Sequence, residues 1–215
     1  MNKRYKIALR LFSWILGMNK HYRISKCIEN KGSLIAKTKF LIKGKNNHIT
    51  IEEGCRIENC TFYINGSNNS IYIGAETRLL HATLWEELDS NSINLGKHNK
   101  GNGSITFAAM EGTKIVIGDN NLFARNICFR TSDSHSILDF GGHRINKAKN
   151  IMIGNHNWFS EEVTFLKGSC IGNNNVIGYR SLLTKEFLVS NCVLVGSSGG
   201  VHVIKDNVQW QYEYK

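Results

Sequence analysis

The sequence contains no proline among its 215 residues, and none of its six cysteines forms a C-x-x-C pair. This spacing offers no zinc-ligand pattern, so we expect no metal and interpret the cysteines as reduced, small apolar side chains. The apolar run near the N-terminus is too short to cross a bilayer. No motif of interleaved aromatic and basic residues is present, so we expect no nucleic-acid partner.

Acidic residues are few compared with basic ones. Lys and Arg number 27 against 17 Asp and Glu, which gives a net charge of +10. A charge of this size attracts anions such as phosphorylated cofactors, acidic glycans or a membrane surface, without choosing among them. The hydrophobic fraction of 41% is enough for the core of one domain.

Residues 1–30 form a distinct N-terminal segment that begins MNKRYKIALRLFSWILGMNK. Polar, basic and small residues recur there at steps of three and four and share one helical face: Lys3, Lys6, Arg10, Ser13 and Gly17. This pattern predicts a basic amphipathic helix over residues 1–20. Two roles remain open, namely a cap that docks on the main domain and a contact with an anionic membrane surface.

A period of six dominates the C-terminal half of the chain. Apolar residues occupy every sixth position: Ile153, Phe159, Phe165, Ile171, Ile177, Leu183, Val189 and Val195. A small residue follows most of these positions. An α-helix cannot hold this period. The pattern predicts a solenoid of short strands with a turn at every sixth position and with stacked asparagines between coils.

Upstream, the repeat is longer but equally regular, since one constant step separates Ile51, Ile73, Leu95 and Ile117. We interpret each unit as one coil plus a few looped-out residues. The predicted organisation is a solenoid domain over residues 31–205 and a C-terminal tail over 206–215. The repeat is interrupted at residues 131–149, which predicts a loop ejected from the solenoid, with Gly141 and Gly142 turning it back. Loops on rigid scaffolds commonly carry function.

Several segments carry a resemblance to a known family. The run INKAKNIMIGNHNWFSEEVTFLKGSCIGNNNVIGYRSLLTKEF resembles the hexapeptide-repeat acyltransferases. Within that family, RTSDSH, HRIN, IGNHNW and NVQW resemble the O-acetyltransferases of capsular polysaccharides, of the polysialic-acid type. The resemblance implies an all-β solenoid, a left-handed parallel β-helix, that assembles as a homotrimer. It also implies acetyl-CoA as the donor and a sugar hydroxyl as the acceptor.

The resemblance assigns roles to the loop. His135 matches the catalytic histidine of a D-x-H loop, and a histidine can exchange protons near neutral pH, so it is the candidate general base. Asp133 is a candidate to orient the imidazole, or else a turn aspartate that binds its own backbone. Arg130 is a candidate for an acceptor carboxylate, or else a solvated charge. His143 is a weaker candidate for substrate contact.

Beyond the loop, Trp158 matches a family tryptophan suited to a sugar face or the pantetheine arm. The residues that match acetyl-CoA contacts are Trp158, Glu161, Tyr179, Thr184 and Lys185. The chain departs from the family pattern in two places. Tyr179 and Arg180 replace two small residues, and the proline and basic residue expected after Gly196 are missing.

The expected function is therefore acetyl-CoA-dependent O-acetylation of a capsular or other cell-surface polysaccharide in the bacterial cytoplasm, with a contact at the inner membrane through residues 1–20. Two alternatives stay open. One is an acetyltransferase for a small sugar, a nucleotide sugar or a xenobiotic. The other is a non-catalytic solenoid that binds glycan.

Overall fold

The computed structural model describes residues 26–197 and 200–213. This part of the chain is an all-β parallel solenoid of the left-handed β-helix class, as the sequence predicts. It has 24 strands, numbered β1 to β24 in chain order. It includes no helix, and hence none long and apolar enough to span a bilayer. The amphipathic helix predicted for residues 1–20 lies outside the described residues.

The strands form three sheets. Sheet A contains β1 (Ile28–Asn30), β4 (His48–Ile51), β7 (Ser70–Ile73), β10 (Ser92–Leu95), β13 (Lys114–Ile117), β16 (Ile151–Ile153), β19 (Cys170–Ile171) and β22 (Glu186–Phe187). Sheet B contains β2 (Leu34–Ala36), β5 (Arg56–Glu58), β8 (Arg78–Leu80), β11 (Lys100–Gly101), β14 (Leu122–Phe123), β17 (Trp158–Phe159), β20 (Val176–Ile177), β23 (Val193–Val195) and β24 (His202–Lys205). Sheet C contains β3 (Lys39–Lys43), β6 (Thr61–Asn65), β9 (Ala82–Glu87), β12 (Ile105–Met110), β15 (Ile127–Arg130), β18 (Thr164–Leu166) and β21 (Leu182–Leu183).

Each coil visits sheets A, B and C in turn, so equivalent residues of successive coils lie side by side. Ile49, Ile71, Ile93 and Ile115 are neighbours in sheet A and follow the constant step of the longer repeat. The next neighbour is Ile151, which lies further along the chain because the loop is inserted between the two strands. All strand pairs are parallel except the last, β23 with β24. The repeat predicted from the sequence is therefore the coil of the structure.

The core is a continuous apolar cylinder. Side chains stack from coil to coil, as Phe107, Phe129 and Phe165 do, with ring centroids 5.1 and 4.7 Å apart. The positions of the period of six from Ile153 to Leu183 are all buried, as predicted. Burial of such rows supplies most of the stabilisation, since each fully buried large apolar side chain contributes about 1.5–3 kcal/mol.

A ladder of buried asparagines runs along one corner of this core. The Oδ1 atom of Asn121 accepts the main-chain N–H of Asn157 at 2.8 Å, and Asn157 accepts that of Asn175 at 2.9 Å. The Nδ2 atom of Asn157 donates to the main-chain oxygen of Gly172 at 3.0 Å. The amides thus satisfy corner main-chain groups that no strand pairs, and the predicted stacking is confirmed.

Glycines and asparagines have different structural roles at the corners. A Cβ atom at Gly118 would lie 2.8 Å from the main-chain oxygen of Gly154, so the close approach of successive coils requires glycine there. The residues that adopt the left-handed backbone conformation are instead Asn120, His156 and Asn174, with φ of 59°, 53° and 57°. Asparagine tolerates this region better than most residues, which accounts for its abundance.

The longer coils of the N-terminal half depart from one expectation. Their extra residues are not looped out but lengthen sheet C, where β6 has five residues and β18 has three. The pairing continues to the end of these strands, since Asn65 lies beside Glu87 and donates to its carboxylate at 2.6 Å. Pairing of the extra residues satisfies main-chain groups that a loop would leave to solvent.

The register changes in the final coil, where the period of six predicts buried Val189 and Val195. Ile171 instead pairs with Phe187, and Ile177 pairs with Leu194. The last coil is thus shorter than the coil before it, Val189 is exposed, and Leu194 is fully buried. The two last positions of the predicted repeat were wrong because this coil is one to two residues shorter than the coil before it, which shifts the inward-facing positions.

The domain boundaries shift slightly. Ile28–Asn30 already form β1, so the solenoid begins inside the predicted N-terminal segment 1–30. The described part of the tail, residues 206–213, packs back along the corner between sheets A and B. Val208 donates its N–H to the oxygen of Asn191 at 2.9 Å, and the indole N–H of Trp210 donates to the oxygen of His156 at 2.9 Å.

Candidate active site

The loop leaves the solenoid at the corner between sheets C and A. Strand β15 ends at Arg130 and β16 begins at Ile151, so the excursion covers residues 131–150, close to the predicted 131–149. Its outer part is a hairpin with a bridge between Leu138 and Arg144. Gly142 has φ of 81° and donates to the oxygen of Asp139 at 3.0 Å, which closes the turn. The glycine pair therefore turns the loop back as expected.

Asn146 is the buried anchor of this loop. Its Oδ1 atom accepts the N–H of Ile137 at 2.7 Å. Its Nδ2 atom donates to the carboxylate of Asp133 at 2.8 Å and to the main-chain oxygen of His135 at 2.7 Å. One side chain thus holds the outgoing and returning segments together and fixes the backbone at His135. No sequence signal marks Asn146 as an anchor, although it lies in the HRIN segment.

Two charged contacts tie the loop to the solenoid. Arg144 makes a two-pronged contact with Glu111, at 2.5 and 2.9 Å, and Ser132 donates to the same carboxylate. These donors, Arg144 first, hold the pKa of Glu111 below its ordinary value. Lys167 pairs with Asp133. That contact, followed by the amide of Asn146, holds the pKa of Asp133 below its ordinary value, so the carboxylate stays charged.

His135 stands exposed on this anchored backbone. Within the described part of the chain, its imidazole forms no hydrogen bond with another residue, whereas its main-chain oxygen is held by Asn146. The expected bond between the carboxylate of Asp133 and the imidazole is not formed, and the Oδ2 atom of Asp133 instead accepts from Lys167 and Asn146. Asp133 thus bonds the side chains of Lys167 and Asn146 in this structure, and its catalytic role stays a prediction.

The other two loop candidates have local partners. Arg130 donates to the hydroxyl of Ser134 at 2.9 Å, and its guanidinium lies 5.8 Å from the centre of the Trp85 ring. It is therefore part of the base of the loop. His143 is highly exposed at the hairpin turn, with Nδ1 3.3 Å from the carboxylate of Asp139. Contact of either residue with substrate stays a prediction.

Trp158 lies on the outer face of sheet B, partly exposed. Its ring is 6.1 Å from that of Trp210, which in turn stacks on His156 at 4.4 Å with nearly parallel planes. The tail thereby extends the surface around Trp158 into an aromatic cluster. The NVQW segment alone does not predict this role of Trp210, because its partner His156 is 54 residues away.

The candidates for donor binding lie on the later coils. Glu161 forms an ion pair with Arg125 at 2.9 Å. Tyr179 is exposed and donates its hydroxyl to Glu162 at 3.1 Å. Thr184 and Lys185 are exposed, and the ammonium of Lys185 lies 5.6 Å from the centre of the Phe187 ring.

The structure does not bring all candidates together in one chain. The loop with His135 leaves the corner between sheets C and A, whereas Trp158 lies on sheet B. Among residues 26–197 and 200–213, no hydrogen bond, ion pair or ring contact joins the loop to Trp158. Nor do three His, Cys, Asp or Glu side chains converge there as metal ligands would.

We expect Asn146→Ala to lower the rate of the reaction that His135 supports by about tenfold, because a loosened loop no longer holds the imidazole in place. The thermal unfolding midpoint should change little, since the loop lies outside the core. Lys147→Ala, an exposed position of the same loop, is the matched control. Steady-state kinetics and circular dichroism check both variants. Equal rates for the two would contradict the anchoring role.

The fold is that of the left-handed β-helix class, and the loop adds an exposed histidine to it. An N-acyltransferase from Bacillus cereus, AntD, shares the fold at a TM-score of 0.51, with 16% identity over 88% of this chain and 89% of that one. No protein-family model matches the chain.

The more similar proteins are polysialic acid O-acetyltransferases. The crystal structure of OatWY matches with a TM-score of 0.72 and 27% identity over 87% of this chain and 92% of that one. NeuO matches with a TM-score of 0.67 and 26% identity over 83% and 91%. A polysialic acid O-acetyltransferase of Escherichia coli O1:K1 / APEC is 31% identical over 90 residues, which span 41% of this chain and 28% of that relative's length. The resemblance seen in the sequence is confirmed.

Proposed function

We propose that the chain is an acetyl-CoA-dependent O-acetyltransferase that modifies a hydroxyl of an anionic capsular or other cell-surface polysaccharide. The observation that carries the proposal is the exposed imidazole of His135 on an anchored loop, in a chain whose fold matches two polysialic acid O-acetyltransferases along most of its length. The net charge of +10 suits both a polyanionic acceptor and a phosphorylated donor.

In the proposed reaction, His135 takes the proton from an acceptor hydroxyl while the oxygen attacks the thioester carbonyl. The C–S bond breaks as the new C–O bond forms, and the thiol leaves with the proton that the imidazole received. The transfer is direct, with no acetylated enzyme. Because no carboxylate of a described residue bonds the imidazole, its orientation rests on the backbone that Asn146 holds.

The residues proposed for the donor fit an anionic ligand in part. Lys185 is exposed and, among the described residues, forms no ion pair, so its ammonium is available to a phosphate. Glu161 is already bonded to Arg125, which neutralises a carboxylate that would otherwise repel the donor. His202 and Lys205 are exposed on β24 and take the place of the basic residue missing after Gly196.

We further propose a homotrimer in which a second copy completes the site. Two features support it: His135 and Trp158 face different sides of one chain, and the loop hairpin exposes apolar side chains. Ile137, Leu138 and Ile145 are more than half exposed, and the exposure of Phe140 reaches 114%. Exposure of this apolar tip to water costs free energy, and packing against a neighbouring subunit removes that cost.

Phe140→Ser is therefore expected to shift the protein from trimer toward monomer, since each buried phenyl ring contributes about 2 kcal/mol. Sedimentation equilibrium over a range of concentrations measures the shift, with Lys147→Ala as the control. A wild-type protein that remains monomeric at every concentration contradicts the assembly. So does an unchanged trimer in the variant.

The activity itself is tested by incubating the protein with acetyl-CoA and a panel of acceptors. Thiol release and the mass gain of the acceptor are both recorded, for polysialic acid, a neutral polysaccharide, single sugars and nucleotide sugars. The proposal predicts acetyl esters on the anionic polymer. Acetylation confined to a small sugar or nucleotide sugar favours the alternative acceptor. Donor binding without any transfer overturns the enzymatic assignment.

The cellular location is part of the same proposal. We place the reaction in the cytoplasm, where acetyl-CoA is made, with residues 1–20 contacting the inner face of the membrane. Co-sedimentation with anionic liposomes, comparing the full chain with one lacking residues 1–20, tests this contact. Equal binding by the two forms contradicts it.

A further inference from the structure

A line of basic side chains follows the outer face of sheet B and leads to Trp158. The strand register places Arg56, Arg78 and Lys100 side by side on three successive coils. The line continues through Leu122 to Trp158. Because neighbouring strands lie about 4.8 Å apart, Lys100 is about 10 Å from Trp158 along the sheet.

The charges along this line are not equivalent. Arg56 is paired with Glu58 on its own strand, so its charge is largely compensated. Arg78 is half-buried, and its Nε atom is enclosed without a hydrogen-bond partner among the described residues. Lys100 is exposed and forms no ion pair in that part of the chain. Two cations on adjacent strands are thus left without a carboxylate, and one buried donor is unsatisfied.

The C-terminal tail covers one side of Lys100. The ring of Tyr212 lies under the ammonium of Lys100, which is 3.9 Å from the ring centre. Together with the adjacent corner, Tyr212 and Lys100 line a cavity of about 470 Å³. The other polar lining side chains are Glu76, His98, Asn120, His156 and Gln211. An aromatic face with amides and a cation is a combination that suits a sugar ring.

The carboxylate of Glu76 lies 3.4 Å from Nδ1 of His98 within the cavity wall. The cavity volume falls within the range of small-molecule sites. The cavity follows the corner between sheets A and B from Glu76 to His156, and His156 belongs to the same coil as Trp158. Glu161, Tyr179, Thr184 and Lys185, which are proposed for the donor, are not among its lining residues. A ligand in this cavity therefore lies next to Trp158 and does not contact the other residues proposed for the donor.

We propose that this cavity is an acceptor subsite that binds an anionic sugar residue next to the one being acetylated. The inference rests on the proposed function for the identity of the acceptor. Lys100 pairs with the carboxylate of the sugar, and Tyr212 contacts its ring. Arg78 lies outside the cavity lining and adds a positive charge on the adjacent strand. A polymer that occupies both this subsite and the position at Trp158 gains affinity that a single sugar lacks.

The test compares acceptors of increasing length. With polysialic acid oligomers, Lys100→Glu and Tyr212→Ala should raise the KM of the acceptor about tenfold, which corresponds to the loss of about 1.4 kcal/mol. The kcat value and the KM of acetyl-CoA should be unchanged, and a single sialic acid should be used equally well by all variants. Lys39→Ala, an exposed lysine on sheet C, is the matched control, and Lys100→Arg should restore affinity.

Direct binding separates this inference from the proposed function. Titration with polysialic acid oligomers in the absence of donor should show weaker binding to Lys100→Glu, and binding by the wild type should weaken with salt. If no acetyl transfer occurs but this binding difference is found, the subsite stands without the enzyme. If transfer occurs while Lys100→Glu keeps the wild-type KM for the polymer, or raises the KM of acetyl-CoA instead, the subsite is overturned.

Discussion

Replacement of His135 by alanine is expected to lower kcat for acetyl transfer by about 10²–10⁴-fold, the range that a positioned general base contributes. The fold should be unaffected, because the contact that holds this residue runs from Asn146 to its main-chain oxygen and not to its side chain. Binding of both substrates should also persist, so the loss falls on kcat with little change in KM.

The control for this variant is His48→Ala. His48 is an exposed histidine on sheet A, three coils before the loop. Single-turnover measurements with acetyl-CoA and polysialic acid separate chemistry from product release. Near-wild-type turnover by His135→Ala would rule out the proposed base. A His135→Gln variant distinguishes loss of the proton acceptor from loss of bulk, and it should be as slow as alanine.

The second large effect concerns a buried carboxyl group with no catalytic assignment. Glu86 points into the solenoid core, fully enclosed, between Ile64 and Ala109 of the neighbouring coils. Neither carboxyl oxygen has a hydrogen-bond partner in the described part of the chain. The main-chain N–H of Ser70 offsets the burial slightly, but it is already bonded to the oxygen of Asn91 at 3.1 Å.

Burial raises the pKa of Glu86 from its ordinary 4.5 to about 9. The folded protein therefore keeps a proton that the unfolded chain releases above pH 4.5. The free energy of unfolding falls as pH rises from that point, by about 1.36 kcal/mol per pH unit. The fall ends near pH 9, where the folded state also loses the proton, and the total is on the order of 6 kcal/mol.

Urea denaturation of the wild type, Glu86→Gln and Glu86→Met from pH 5 to 9 tests this expectation. The glutamine variant should show a nearly flat pH dependence, because its amide does not titrate. The methionine variant should be the most stable at every pH, since it fills the site without a buried polar group. Superimposable pH profiles for the wild type and Glu86→Gln would show that Glu86 is not the group that holds the proton.

Much of the fold could be predicted from the sequence, because each coil of the solenoid repeats the same pattern of buried positions. Positions such as Ile153 and Asn157 recur at fixed steps, and each is buried as its residue type demands. The pattern fails where a coil changes length, as it does before Leu194, because the shortening leaves no composition signal. The burial of Glu86 was not predicted, because a charged residue ordinarily indicates a surface position. The equivalent residue of the coil before it, Ile64, is apolar.

The site was predictable in part. The interruption of the repeat identified the loop and His135, but the anchor at Asn146 depends on contacts that only the folded loop forms. The line of Arg56, Arg78 and Lys100 was present in the sequence at the same constant step that the isoleucines of the longer repeat follow. Its link to Trp158 needed the register across the loop.

The C-terminal tail packs back along the solenoid and connects coils that are not neighbours. Stacked repeats ordinarily interact only with their neighbours, so they can lose coils from an end one at a time. Here residues 208–212 touch Asn191, His156 and Lys100, which belong to three coils that are not adjacent to one another. Fraying of the last coil must therefore release contacts far down the stack, and this coupling makes unfolding of the C-terminal half more cooperative than that of an unstrapped array.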